Sequence, residues 1–185
     1  MLIAFIAAYL LGSIAIGLFA ARRVHSTADY AVAGRSLPLY MVVATTFATW
    51  FGSELVLGVS AQFVQEGLGG VVEDPFGAGM CLVLVGLFFA YKLYKKNLIT
   101  IGDYYRLRFG RTVEILCSII IFSYLGWVAA QVAALGLVFN LLTQGAMSIT
   151  AGMVLGTLIV LIYTLYGGMW SVAVTDLVQM VVICI

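Results

Sequence analysis

Six apolar runs dominate the chain: Leu2–Ala21, Leu39–Val64, Phe76–Leu93, Val113–Leu142, Ile149–Tyr166 and Val172–Ile185. None alternates apolar and polar residues at period two, so they read as helices and not as the strands of a barrel. Each of the first five is long enough to cross a bilayer, which takes about 20 helical residues. The sixth is still apolar at Ile185 and shows no Gly, Pro or basic cluster of a helix end. The sequence therefore reads as the N-terminal piece of a longer protein, its last helix truncated.

Composition agrees with the pattern. Of 185 residues, 64% are hydrophobic and 9% charged, against about 25% charged in a soluble domain. Such a chain cannot cover a water-facing surface, but it can face a lipid bilayer, and the class is all-α integral membrane protein. The net charge of +1 and the lack of basic residues interleaved with aromatics exclude a nucleic-acid partner. Cys81, Cys117 and Cys184 lie far apart in apolar runs, which argues against disulfides or a zinc site. The single histidine, His25, reads as a solvated loop residue. No H-E-x-x-H, G-x-S-x-G or phosphate loop occurs, so neither an enzyme nor a bound cofactor is expected.

The nine Lys and Arg residues set the topology. All fall between helices one and two (Arg22, Arg23, Arg35) or between helices three and four (Lys92, Lys95, Lys96, Arg106, Arg108, Arg111). The loop after helix two carries Glu66, Glu73 and Asp74 instead. Basic loops stay cytoplasmic, so the N-terminus is expected outside a cell membrane crossed several times. The pair Arg22–Arg23 follows the first apolar run, the reverse of a cleaved signal, so that run reads as a retained helix. In the second basic loop, Thr100 with Asp103 forms a helix-starting signature and Gly110 a stop. That short helix is expected along the membrane surface.

Several polar residues interrupt the apolar runs. Thr45, Thr46, Thr49, Gly52 and Ser53 cluster around Glu54 in the second run. A carboxylate at that depth is costly unless it faces protein or water. Small and hydroxylated residues there suit either close helix packing or an interrupted helix whose free carbonyls hold a hard cation. Trp50 precedes Glu54 by four residues, and Trp127 precedes Gln131 by four, so each pair would share a helix face. An indole beside a carboxylate suits an organic cation, and the competing reading is plain packing or interface anchoring. Asp74, before Pro75 and after three glycines, is either part of a turn or an outward-facing substrate contact. Gly167–Gly168 would supply a tight reversal between two helices, with Asp176 in the helix that follows.

At "YTLYGGMWSVAVTDLVQ" the sequence resembles the sodium:solute symporters. Their signature runs through Tyr163, Thr164, Gly167, Gly168, Met169, Ser171, Thr175, Asp176 and Gln179. "ADYAVAGRSL" and "TIGDYYRLRFG" match further, and the likeness covers nearly the whole chain. "TFATWFGS" and "GWVAAQVAALG" look most like the choline-transporter branch. The resemblance implies a leucine-transporter-like fold: an extra N-terminal helix and its basic loop (1–37), then core helices one to five (38–185). These form the first repeat of a five-plus-five inverted-repeat core. It further implies Na⁺ as coupling ion, held by the carbonyls of Ala48 and Phe51 and by oxygens of a helix in the absent C-terminal half. Asp176 matches the family's acid on the ion's inward exit path; the plainer alternative is that it complements a helix N-terminus near Ser171. Leu55 stands where sugar carriers have an amide, and Trp50 where proline carriers have an acid, so neither solute is favoured. The function implied is Na⁺-coupled symport of a small polar or cationic organic solute, with Trp50, Glu54, Asp74 and Trp127 as candidate contacts. A membrane input domain of a sensor histidine kinase on the same fold is the alternative.

Overall fold

A computed structural model describes residues Leu2–Ile185, and regular structure among them is helical throughout. Its α-helices are α1 (Leu2–Ala20), α2 (Thr27–Val32), α3 (Leu39–Trp50), α4 (Ser60–Glu66), α5 (Ala78–Val85), α6 (Tyr91–Tyr94), α7 (Ile101–Phe109), α8 (Arg111–Phe122), α9 (Leu125–Leu142) and α10 (Ile149–Cys184). Short 3₁₀ and π-helical pieces join many of them. Four stretches are long and apolar enough to cross a membrane: Ile3–Arg23, Glu54–Tyr94, Arg111–Leu142 and Ile149–Cys184. The bent pair Thr27–Arg35 and Leu39–Trp50, turned by 105°, makes a fifth if counted together. The protein is thus an all-helical, multi-pass membrane protein.

The second apolar run is not one helix. α3 closes at Trp50, and Phe51 (φ −81°, ψ 53°) leaves helical geometry. The chain resumes as a π-helical turn at Glu54–Val59. Because the helix stops between Trp50 and Glu54, the four-residue spacing no longer puts them on one face.

The chain divides into two compact units. One comprises the residues up to Gly52 together with Ala129–Ile185; the other is Ser53–Val128. In the first, α1, α2 and α3 all pack against α10. Their buried centre is Ala33, Met41, Trp170 and Ala173, with Leu37, Met169 and Leu177 against it. Arg23 lies 4.9 Å from the Trp170 ring centre, a cation–π contact at the end of α1.

Two glycines define this unit. Gly168 (φ 49°, ψ −138°) interrupts α10 in a region of backbone space that side chains avoid. Tyr163 and Thr175 are twelve positions apart, about 18 Å along an unbroken helix. Their hydroxyls nevertheless meet, so the chain doubles back at Gly168. Gly17 of α1 faces that turn. A Cβ there would stand 2.6 Å from Tyr163 Cβ, and the buried Ser171 hydroxyl donates to the Gly17 carbonyl.

In the second unit, α7 starts with the capping box read from sequence. Thr100 Oγ1 accepts from the Asp103 amide at 3.2 Å, and the Thr100 amide donates to Asp103 Oδ2 at 2.8 Å. These bonds, with the Ile99 amide, hold the Asp103 carboxyl below the usual carboxylate range. Gly110 (φ 87°, ψ 179°) ends α7 and turns the chain into α8.

Candidate functional site

In the first unit the polar centre lies between α3 and α10. Two of the three threonines of α3 spend their hydroxyls on their own helix: Thr46 Oγ1 donates to Val42 O at 2.9 Å and Thr49 Oγ1 to Thr45 O at 2.8 Å. Thr45 does not. Its hydroxyl faces the Asp176 carboxyl, yet Thr45 Oγ1 and Asp176 Oδ2 are both buried and neither closes a hydrogen bond. Buried polar atoms without partners are uncommon. Asp176 lies about two turns past the break at Gly168, beyond the first turn in which a helix dipole acts. That distance weakens the plainer reading in which it serves the helix N-terminus.

The end of α3 is the second feature of this unit. Phe51 donates its amide to Phe47 O at 2.8 Å, and its ring stacks on Phe47 at 5.3 Å. Beyond Phe47 the ladder stops, so the carbonyls of Ala48 through Phe51 are the four that a helix C-terminus leaves without intrahelical partners. Trp50 sits at this end and is 40% exposed.

In the second unit the structure joins two residues 73 positions apart. Trp127 Nε1 donates to Glu54 Oε2 at 2.8 Å, a hydrogen bond strengthened by the carboxylate charge. The bond uses the indole N–H, and Trp127 keeps 43% of its surface exposed. Asp74 (φ −125°, ψ 125°) breaks the helical path before a cis Pro75, and its Oδ1 is buried without a hydrogen-bond partner.

The sodium:solute symporter family model matches residues 30–185. The chain belongs to this family. High-affinity choline transporter 1 of Drosophila melanogaster is 32% identical over 170 residues, covering 89% of this chain and 27% of that protein. The human high affinity choline transporter 1 is 32% identical over 188 residues, covering 97% and 32%. The sodium/glucose cotransporter of Vibrio parahaemolyticus is 26% identical over 166 residues, covering 83% and 28%. The chain thus spans about a third or less of these relatives, and they are transporters, not enzymes. No solved structure gives a significant match.

Of the candidate residues, the structure brings Glu54 and Trp127 into contact. Ala48 and Phe51 stand at the broken end of α3, and Gly168 at the break in α10. Asp176 sits deep in the first unit. Trp50 belongs to the first unit and Asp74 to the second. The sequence does not distinguish Thr45 among the three threonines or mark Gly17, and it marks Ser171 only as a signature residue, without its bond to Gly17. Hydroxyl spacing alone does not say which threonine faces a neighbouring helix.

Proposed function

We propose that the chain is the first part of a carrier that couples Na⁺ entry to uptake of a small organic cation of the choline type across the cell membrane, N-terminus outside. One observation carries the reading: α3 stops within apolar sequence at Phe51, so the carbonyls of Ala48 and Phe51 have no ladder partner. Carbonyls freed at the end of a broken membrane helix suit Na⁺. The remaining oxygens would come from the second half of an inverted-repeat core. Asp176 and Thr45, with their unpartnered oxygens, suit a cation leaving that site inward. Gly167 and Gly168 form the turn that fixes Asp176 there.

The substrate assignment leans on relatives named as choline transporters and on the aromatic residues. Trp127 holds its carboxylate partner Glu54 by the indole N–H, and Trp50 is a second aromatic candidate, in the first unit. Cation–π contacts are worth about 2 kcal/mol or more when desolvated. Asp74 is the outward contact in this scheme. The sensor-kinase alternative gains no support from relatives named as transporters and cotransporters.

The test is radiolabelled choline uptake by proteoliposomes containing the intact natural protein under an inward Na⁺ gradient. Uptake should require Na⁺ and fall in Asp176→Ala. Equal uptake with K⁺ replacing Na⁺ would overturn the coupling, and Na⁺-driven uptake that choline does not compete for would overturn the substrate.

A further inference from the structure

The hairpin of α7 and α8 carries a concavity of about 570 Å³ that the transport reading does not use. Its volume is that of a small-molecule site. Its lining divides sharply. At one end stand Arg106 from α7 and Arg111 and Glu114 from the first turn of α8. From there Ile115, Ile119 and Phe122 continue down α8. Arg111, Ile115, Ile119 and Phe122 follow one another at four, four and three residues, so they form a single stripe on the helix.

The charged end is not neutralised. Arg106 Nε lies 3.7 Å from Glu114 Oε2, a loose pair with the arginine 62% exposed. Among the described residues no carboxylate lies within ion-pair distance of Arg111. One carboxylate therefore faces two guanidinium groups, which are built to take two oxygens of a phosphate each. The Ser118 hydroxyl, also in the lining, already donates to Glu114 O at 2.8 Å and has no proton to offer.

The apolar limb has a defined length. From Arg111 to Phe122 the helix rises about 16 Å, close to half of a hydrocarbon core about 30 Å thick. Ile115, Ile119 and Phe122 are all more than half exposed. Soluble anions such as free phosphate have no use for this limb, and a zwitterionic lipid, though it carries a phosphate, brings a cation of its own to a site that already holds two arginines.

We propose that the α7–α8 hairpin is a binding site for one anionic phospholipid. Its phosphate lies between Arg106 and Arg111, and one acyl chain runs along Ile115, Ile119 and Phe122. The capping box at Thr100 and Asp103 and the turn at Gly110 hold α7 so that Arg106 overhangs the stripe. Basic residues next to a membrane helix attract anionic headgroups on general grounds. What the hairpin adds is a groove one leaflet deep beneath them.

Native mass spectrometry of the full chain in detergent tests this, with dioleoylphosphatidylglycerol and dioleoylphosphatidylcholine added at equal concentrations. Phosphatidylglycerol should be retained about tenfold or more tightly than phosphatidylcholine. Arg106→Gln with Arg111→Gln should erase the preference. Glu114→Gln, which removes the competing carboxylate, should strengthen it, and this variant keeps the test alive if the arginine pair fails to fold. Millimolar glycerol 3-phosphate should not displace the lipid. Equal retention of the two lipids by the wild-type chain would overturn the proposal, as would an unchanged preference in a folded double variant. So would an unchanged or weaker preference in Glu114→Gln. Displacement by glycerol 3-phosphate would overturn it in favour of a soluble phosphate site.

Discussion

Replacing Gly168 by alanine tests whether the break in α10 is demanded by backbone geometry. At φ 49° and ψ −138°, any residue with a Cβ is strained by about 1–3 kcal/mol. The added Cβ would also stand 2.8 Å from Tyr30 Cδ2 and 2.9 Å from Tyr30 Cγ, and closer still to the Tyr30 carbonyl oxygen. A backbone oxygen cannot rotate away, and overpacking of this kind costs about 1–3 kcal/mol. Gly168→Ala should therefore destabilise the chain by about 2–6 kcal/mol. Gly167→Ala should cost less. Its φ is not positive, but its Cβ would stand 2.7 Å from Ser171 Cβ and 3.0 Å from Ala21 Cβ, so it bears the overpacking cost of about 1–3 kcal/mol without the added backbone strain. Gly12→Ala is the control: nothing lies within 4 Å of its added methyl, and it sits inside α1, where alanine is favoured by up to about 1 kcal/mol. The assay is reversible unfolding by sodium dodecyl sulfate in mixed micelles, followed by far-ultraviolet circular dichroism. A Gly168→Ala variant within about 0.5 kcal/mol of wild type would refute the reasoning, as would a larger loss for Gly167→Ala.

Three further outcomes follow. A cysteine placed at Gln65 should react with an impermeant maleimide added outside intact cells, and one placed at His25 only from inside. The reverse labelling would invert the proposed topology. In the intact carrier, Trp50→Leu should weaken choline affinity by about tenfold or more and Trp50→Phe by less; unchanged affinity would make Trp50 a packing residue. The α7 cap should depend on pH. Asp103 has a lowered folded-state value, so its contribution is complete above the unfolded carboxylate value of about 3.9 and is lost as pH falls through the folded one. Amide protection factors at the start of α7 should drop on acidification below about pH 4 in wild type. In Asp103→Asn they should not.

Local signals were readable from the sequence, and pairings between segments were not. Thr100, Asp103 and Gly110 mark their helix because a cap and a stop are decided by neighbours a few residues away. The polar cluster after Thr45 pointed to an interruption, but not to Phe51 as its place, because Gly52 and Ser53 are tolerated inside membrane helices. The π-helical stretch at Gly86–Ala90 had no mark at all, its residues being those of any apolar helix, and Glu54 marked the start of Glu54–Val59 without saying that the turn there is π-helical. Glu54 and Trp127 were legible together only as contacts of one solute, and their direct hydrogen bond was not, since periodicity gives a face and not the partner it meets. The same holds for Thr45 and Asp176, on helices separated by more than a hundred residues.

The Ser171–Gly17 hydrogen bond joins residues 154 positions apart, and this has a bearing on biogenesis. The ribosome adds about 5–20 residues per second, so α1 is in the membrane for on the order of ten seconds or more before Ser171 exists. All of Ser53–Val128 is made in that interval. The contacts that close the first unit then depend on α1 having stayed available while the residues of the second unit were made. Chains stalled before Ser171 should carry α1 inserted but unclaimed, open to recognition by membrane quality control.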